Sequence, residues 1–312
     1  MKKILGTMTF SDQVDKPAAA SMLELFSQSG GDELDTAYVY CKGRTEELLG
    51  ALLPPDKRSK LFLASKVHPW NDEGLQPDQI EMQLNTSLKR LGTDYLDLLY
   101  LHSPDLDTAI ETTLERCFKL FQQGKFKTFG LSNFASWQVA EVVEICRREG
   151  WMQPSVYQGM YNALTRDVET ELFPCLRNYD MQFYAYNPLA GGLLTGKHQA
   201  SETLPDTGRF RQDYGYRSRY WKSDYFSVLE RFQTACAAFD LNPAEAAFSW
   251  LLNHSKLSTE LKDGIIIGVS KTPHLIDNLA AFNQPPLDQS ILDVLDQGWA
   301  VIKPNCFRYF RP

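Results

Sequence analysis

The chain has 312 residues, 43% of them hydrophobic and 23% charged, which is ample material for a large soluble core. A formal net charge of −7 argues against a nucleic-acid or membrane-surface role, because no basic excess exists to offset phosphates. The opening MKKILGTMTFSD breaks its short apolar run with Gly, Thr and Asp, and no 18-residue apolar stretch follows, so neither a signal peptide nor a transmembrane helix is expected.

In chain order, short apolar runs predict strands at 3–8, 33–37, 61–67, 96–102, 128–132, 155–159, 182–188 and 264–269. Several are continuously hydrophobic, as parallel strands covered on both faces must be. Helical patterns lie between them. Residues 77–92 begin with Pro and Asp and end at Gly92, and residues 108–125 carry apolar side chains at helical spacing. Residues 136–150 open on Ser136 as a cap and stop at Gly150. LLPPDKR (52–58) reads as a helix-ending turn. Strands alternating with helices about every thirty residues predict a (β/α)8 TIM barrel, a single domain over 1–312. A doubly wound sheet is the other arrangement, but its G-x-G-x-x-G fingerprint is absent.

One connection is unusually long. From Leu189 to a helix near Ser227 no strand is evident, and that segment opens with GGLLTGK (191–197). These seven residues match the start of a nucleotide-triphosphate P-loop, but His198 stands where the motif needs a Mg²⁺-holding Ser or Thr. In a barrel the loops after strands 7 and 8 commonly bind phosphate, which suits the same glycines without any NTP. The six cysteines are scattered, without C-x-x-C, and read as reduced thiols of a cytoplasmic protein. The five histidines show no ligand spacing, so no metal is expected.

Polar residues at the C-terminal ends of barrel strands face the active site. Those ends supply Asp35, Lys66, His102, Ser132, Asn133 and Gln158, with Tyr40 in the loop after the second strand. Singly, Lys66 reads as a snorkelling lysine and His102 as a core histidine. Together they form a proton-transfer set. A lysine beside a tyrosine favours the phenolate and lowers the phenol's pKa, Asp35 keeps Lys66 charged, and His102 reaches a carbonyl oxygen. Such a set suits protonation of an oxygen that becomes alkoxide as hydride arrives at carbon. Cys41, next to Tyr40, reads as an idle thiol whose oxidation would inactivate the site.

At LDTAYVY, ASKV, LYLHSPD and GLSNF the chain resembles the aldo-keto reductases. QPSVYQGMYNALTR, the block from ETELFPCLRNYD through GGLLTGK, and NHSKL resemble the aflatoxin-aldehyde/succinic-semialdehyde reductase branch. The resemblance implies NADPH-dependent reduction of small acidic or dicarbonyl aldehydes, such as succinic semialdehyde. It implies Tyr40 as proton donor with Asp35, Lys66 and His102 completing a tetrad. Ser132, Asn133 and Gln158 would hold the nicotinamide carboxamide, and Tyr186 would stack on its ring. Asn187, Leu189, Gly191, Gly192, Leu193, Thr195 and Lys197 would wrap the pyrophosphate. Arg209, Ser270, Lys271, Asp277 and Asn278 would take the adenosine phosphate end, where two cations favour NADPH over NADH. Tyr216, Arg219 and the tail residue Arg308 would bind a substrate carboxylate, with Arg217 the alternative to Arg219. The branch also implies a homodimer. An NADPH-binding regulatory subunit of the same fold is the rival reading; the complete tetrad and the lack of a long N-terminal extension weigh against it.

Overall fold

The computed structural model describes residues 1–198, 204, 208–212 and 215–311. Eight parallel strands close into a barrel in chain order: β1 (Lys2–Gly6), β2 (Glu33–Asp35), β3 (Phe62–Val67), β4 (Leu96–Leu101), β5 (Phe126–Ser132), β6 (Val156–Met160), β7 (Gln182–Tyr186) and β8 (Gly264–Gly268). Closure comes from β1 beside β8, with Ile4 opposite Ile266. The expected (β/α)8 barrel is the fold, and each predicted run overlaps a strand, with β1, β5 and β6 extending one or two residues beyond the expected bounds.

Helices form the outer layer: α1 (Lys16–Gln28), α2 (Arg44–Leu52), α3 (Pro55–Arg58), α4 (Pro77–Leu91), α5 (Ile110–Gln122), α6 (Ser136–Glu149) and α7 (Leu172–Asn178). Then come α8 (Arg209–Gln212), α9 (Tyr216–Tyr220), α10 (Ser223–Ala237), α11 (Pro243–Asn253), α12 (Thr272–Ala280) and α13 (Gln289–Ile302). Pro77 starts α4, where its missing N–H costs nothing, and Gly92 ends it with φ of 64°. The turn expected over 52–58 holds the four-residue α3. Ser136 is not a cap. It is the first residue of α6, Ala135 precedes it, and the Gln138 side chain folds back to accept the Ala135 N–H at 2.8 Å. The Ser136 N–H is thereby left for the hydroxyl of Tyr309, at 3.0 Å, which ties the C-terminal tail to the barrel.

Two apolar cores result. The larger lies between strands and helices, and a smaller one of Ile4, Ala64, Leu98, Tyr100, Val156, Tyr184 and Ile266 plugs the barrel interior. The long connection after β7 has local structure: a 3₁₀ turn over Ala190–Thr195 and then α8 and α9, so the following helix begins at Ser223. No helix among the described residues is long and apolar enough to cross a membrane.

Candidate active site

Above the apolar plug, a cavity of about 1060 Å³ opens at the C-terminal ends of the strands. Its floor carries the residues expected for proton transfer. The strand register places Asp35 opposite Ala64, and two residues further along β3 lies Lys66, wholly buried. Lys66 Nζ donates to Asp35 Oδ1 at 2.6 Å and to the Thr36 carbonyl at 2.7 Å. It reaches the Tyr40 hydroxyl at 3.4 Å. Gln158 Nε2 donates to the other Asp35 oxygen at 2.8 Å, so both carboxylate oxygens are held. The His102 ring stands edge-on to Tyr40, with centroids 6.0 Å apart, and its Nδ1 has no hydrogen-bond partner among the described residues.

Electrostatics here is governed by burial. The Tyr40 hydroxyl is pushed well above its ordinary value, first by burial and then by Asp35. This corrects the expectation that Lys66 lowers it: the two short Lys66 bonds go to Asp35 and Thr36, and desolvation of the phenolate outweighs the longer contact. Burial also lowers Lys66, opposed chiefly by Asp35, and drives His102 well down, helped by Lys66. Tyr40 therefore keeps its proton and His102 is a neutral imidazole.

Beside this floor, β5 ends at Ser132 and Asn133 follows it. Asn133 takes a left-handed φ of 64°, and its amide donates to the His102 carbonyl at 2.8 Å and to Ser132 Oγ at 2.9 Å. The Tyr186 hydroxyl donates to Asn133 Oδ1 at 2.8 Å. Across the cavity, Asn187 and Leu189 lead into the Gly191–Gly192 turn, whose φ values of 71° and 107° favour glycine. Thr195, Lys197 and Arg209 continue that wall, and Ser270, Asp277 and Asn278 line the far end at α12. Tyr216 donates to Asn187 Oδ1 at 3.1 Å.

Three expected contacts stand elsewhere. Leu193 is wholly buried under the turn. Lys271 is exposed at the start of α12 and does not line the cavity. Arg308 is exposed over the Phe310 ring, away from the cavity lining. Arg311 lines the cavity instead, its N–H donating to the Asn133 carbonyl at 3.0 Å. Of the arginine alternatives, Arg219 faces the cavity. Arg217 donates to the Phe210 and Arg211 carbonyls, both at 2.7 Å, and so fastens α9 to α8. Sequence reasoning also missed Trp70 after β3, whose ring lies 4.8 Å from His102 and 4.5 Å from the Arg311 guanidinium. An exposed Trp in a post-strand loop (HPWND) was the available signal. Cys41 lines the cavity with its thiol 3.6 Å from the Met8 carbonyl. Among the described residues no cluster of metal-ligating side chains occurs.

The chain matches the Aldo/keto reductase family model over residues 4–300. It is 44% identical to human aflatoxin B1 aldehyde reductase member 2, across 99% of this chain and 89% of that protein. It is 42% identical to human aldo-keto reductase family 7 member A3, across 99% and 96% respectively. A fungal relative, aldo-keto reductase pigE of Monascus ruber, is 34% identical over 93% of this chain and 89% of its own length. A match over nearly the whole chain, on a closed eight-stranded barrel with a tyrosine–lysine–aspartate–histidine floor, leaves one assignment: the chain belongs to the aldo/keto reductase family and is an oxidoreductase.

Proposed function

We propose that the protein reduces aldehydes with NADPH, and that small acidic or dicarbonyl aldehydes, such as succinic semialdehyde, suit it best. The observation that carries this reading is the floor geometry, in which one phenol shares a buried lysine with a carboxylate beside a histidine nitrogen unpartnered among the described residues.

The donor set fits a nicotinamide dinucleotide. Amide and hydroxyl groups of Ser132, Asn133 and Gln158 lie at one end, beside the Tyr186 ring. The left-handed Gly191–Gly192 turn with Lys197 and Arg209 forms the middle, and Ser270, Asp277 and Asn278 the other end. These residues would hold the carboxamide, the pyrophosphate and the adenosine in that order. When bound, the nicotinamide supplies a hydride to the carbonyl carbon.

The chain's own residues handle the oxygen. Neutral His102 donates a hydrogen bond to the carbonyl oxygen and fixes its place over the floor. Tyr40, protonated because burial holds its pKa up, gives its proton to that oxygen as negative charge develops there. The phenolate left behind is stabilised by the Lys66 ammonium, which Asp35 keeps charged against burial. Arg219 and Arg311 supply anion recognition. Each lines the cavity without a carboxylate partner among the described residues, and Arg219 Nε is buried with no acceptor. A carboxylated substrate satisfies both.

Replacing Tyr40 by Phe tests the reading. NADPH affinity, measured by fluorescence, stays close to that of the unaltered enzyme, while aldehyde reduction falls by roughly 10²–10⁴-fold. Near-normal turnover would overturn the proton-donor assignment. Loss of NADPH binding alongside turnover would instead show a displaced loop.

A further inference from the structure

On the face of β3 opposite the tetrad lies a half-buried ion pair that the proton transfer does not use. Successive strand residues point to opposite sides, so Lys66 enters the barrel while Ser65 enters the helix layer. Ser65 Oγ donates to Glu46 Oε1 at 2.7 Å, and Glu46, in the first turn of α2, is completely buried. Glu46 Oε2 accepts from Arg90 Nη1 of α4 at 3.2 Å. The same nitrogen donates to the Tyr38 carbonyl, also at 3.2 Å.

Arg90 grips the loop of the proton donor at both ends. Its guanidinium lies 4.6 Å from the Tyr38 ring centroid. It also rests on Gly43, where an added Cβ would fall 2.3 Å from the guanidinium carbon. Tyr38 and Gly43 bracket Tyr40. Between them Cys41 and Lys42 hold φ values of 50° and 58°, a left-handed backbone that non-glycine residues adopt at a cost and keep only when surroundings enforce it. One guanidinium thus holds the strained turn that presents Tyr40, while its carboxylate partner holds the strand that presents Lys66.

A buried ion pair is a weak stabiliser compared with an apolar pair of the same volume. A guanidinium that joins a loop carbonyl to a carboxylate through one nitrogen while its plane lies over the Tyr38 ring is a geometric device, and the compact ammonium of lysine does not reproduce it. From these contacts we infer that the Glu46–Arg90 pair is a positioning unit for proton transfer, setting the separation of the Tyr40 hydroxyl from Lys66 Nζ. That separation is 3.4 Å against 2.6 Å for Lys66 to Asp35, so small loop movements decide whether the phenol and ammonium communicate. The inference rests on Tyr40 being the proton donor.

The experiment uses the full chain. Arg90→Lys is expected to lower kcat for aldehyde reduction about tenfold, and Arg90→Met further, with KM and NADPH affinity within about twofold. Rates are normalised to cofactor-binding sites and measured well below each variant's Tm. Millimolar guanidinium added to Arg90→Ala restores part of kcat. Glu46→Gln supplies a second readout. Lys66 faces Asp35, Tyr40, Tyr100 and His102, and from the other side of β3 the negative charge of Glu46 on α2 helps keep it protonated. Neutralising Glu46 therefore moves the alkaline limb of the kcat profile to lower pH.

A purely structural role would lower Tm and the number of binding sites but leave kcat per site and the pH limb unchanged. That result overturns the inference, as does full kcat in Arg90→Lys. Should Arg90→Met fail to fold, Arg90→Lys and Glu46→Gln carry the decision. Tyr40→Phe in the same assay separates the two levels: its turnover tests the donor assignment, whereas a dead Tyr40→Phe beside a normal Arg90→Lys refutes only the positioning role.

Discussion

Arg308 and Arg311, three residues apart in the tail, meet opposite surroundings. Tyr309 between them is buried, its hydroxyl donating to Glu171 and accepting from the Ser136 N–H. Arg308 is left over Phe310 in solvent, and Arg311 lies over Trp70 beside the cavity. Burial lowers the Arg311 pKa; Tyr186 opposes this and the nearby like charge of Arg219 adds to it. A charge-assisted hydrogen bond is worth about 1.5–3 kcal/mol, roughly ten- to a hundredfold in affinity. Arg311→Ala is therefore expected to raise KM by that factor for a carboxylated aldehyde and by far less for a neutral one of similar size. Arg308→Ala should change neither. Steady-state kinetics on the two substrates checks this, and equal losses on both substrates in Arg311→Ala would make the tail a structural strap.

At the scale of elements, α2 and α4 touch through Gly50, where an added Cβ would lie 2.1 Å from the Arg90 carbonyl oxygen. Alanine in place of a helical glycine usually gains about 1 kcal/mol. Here the obstacle is backbone that cannot rotate away, and overpacking costs about 1–3 kcal/mol. Gly50→Ala is thus expected to lower the denaturation midpoint, and through Arg90 to lower kcat as well; a stabilised variant with unchanged kcat would contradict the close packing. The strands and the meeting of Asp35, Tyr40, Lys66 and His102 on one floor were legible in the chain because strand period and strand-end position are local properties. Ser136 as a cap, Arg308 as the tail ligand and a Lys66-lowered Tyr40 were misread. Each depends on a partner far away in sequence: Tyr309 on Ser136, Tyr309 again for the tail, and desolvation by the closed barrel for Tyr40. Glu46 and Arg90 were invisible for the same reason, since residues 44 apart meet only when α2 packs on α4.

Over the whole molecule, a net charge of −7 coexists with a cavity lined by Lys42, Arg44, Lys197, Arg209, Arg219 and Arg311 against Asp12, Asp35, Glu245 and Asp277. Charge is sorted by the barrel, which gathers cations at the strand ends while the protein as a whole stays acidic. Burial sorts protonation in the same way. All five histidines, His68, His102, His198, His254 and His274, are held below the ordinary value of 6.5, with burial the first cause in each. Below pH 6.5 the unfolded chain takes up protons that the folded chain refuses, so the histidine contribution is full above that pH and is lost as pH falls through the folded values. For His102, wholly enclosed, the slope is about 1.4 kcal/mol per pH unit within that window. Glu33, Glu46 and Asp167 act in the opposite sense: burial raises them, so their contribution is greatest in acid and declines as pH rises through their folded values. That window opens at 4.5 for the glutamates and at 3.8 for the aspartate, so between about pH 7 and pH 5.5 the three carboxyls oppose the five histidines, which prevail by number. Urea denaturation at those two pH values is expected to show a lower midpoint at the acidic one with an unchanged m-value. An equal or higher midpoint would mean that the histidines titrate in the folded protein as they do in the unfolded chain, and that the cavity floor is wetter than its geometry implies.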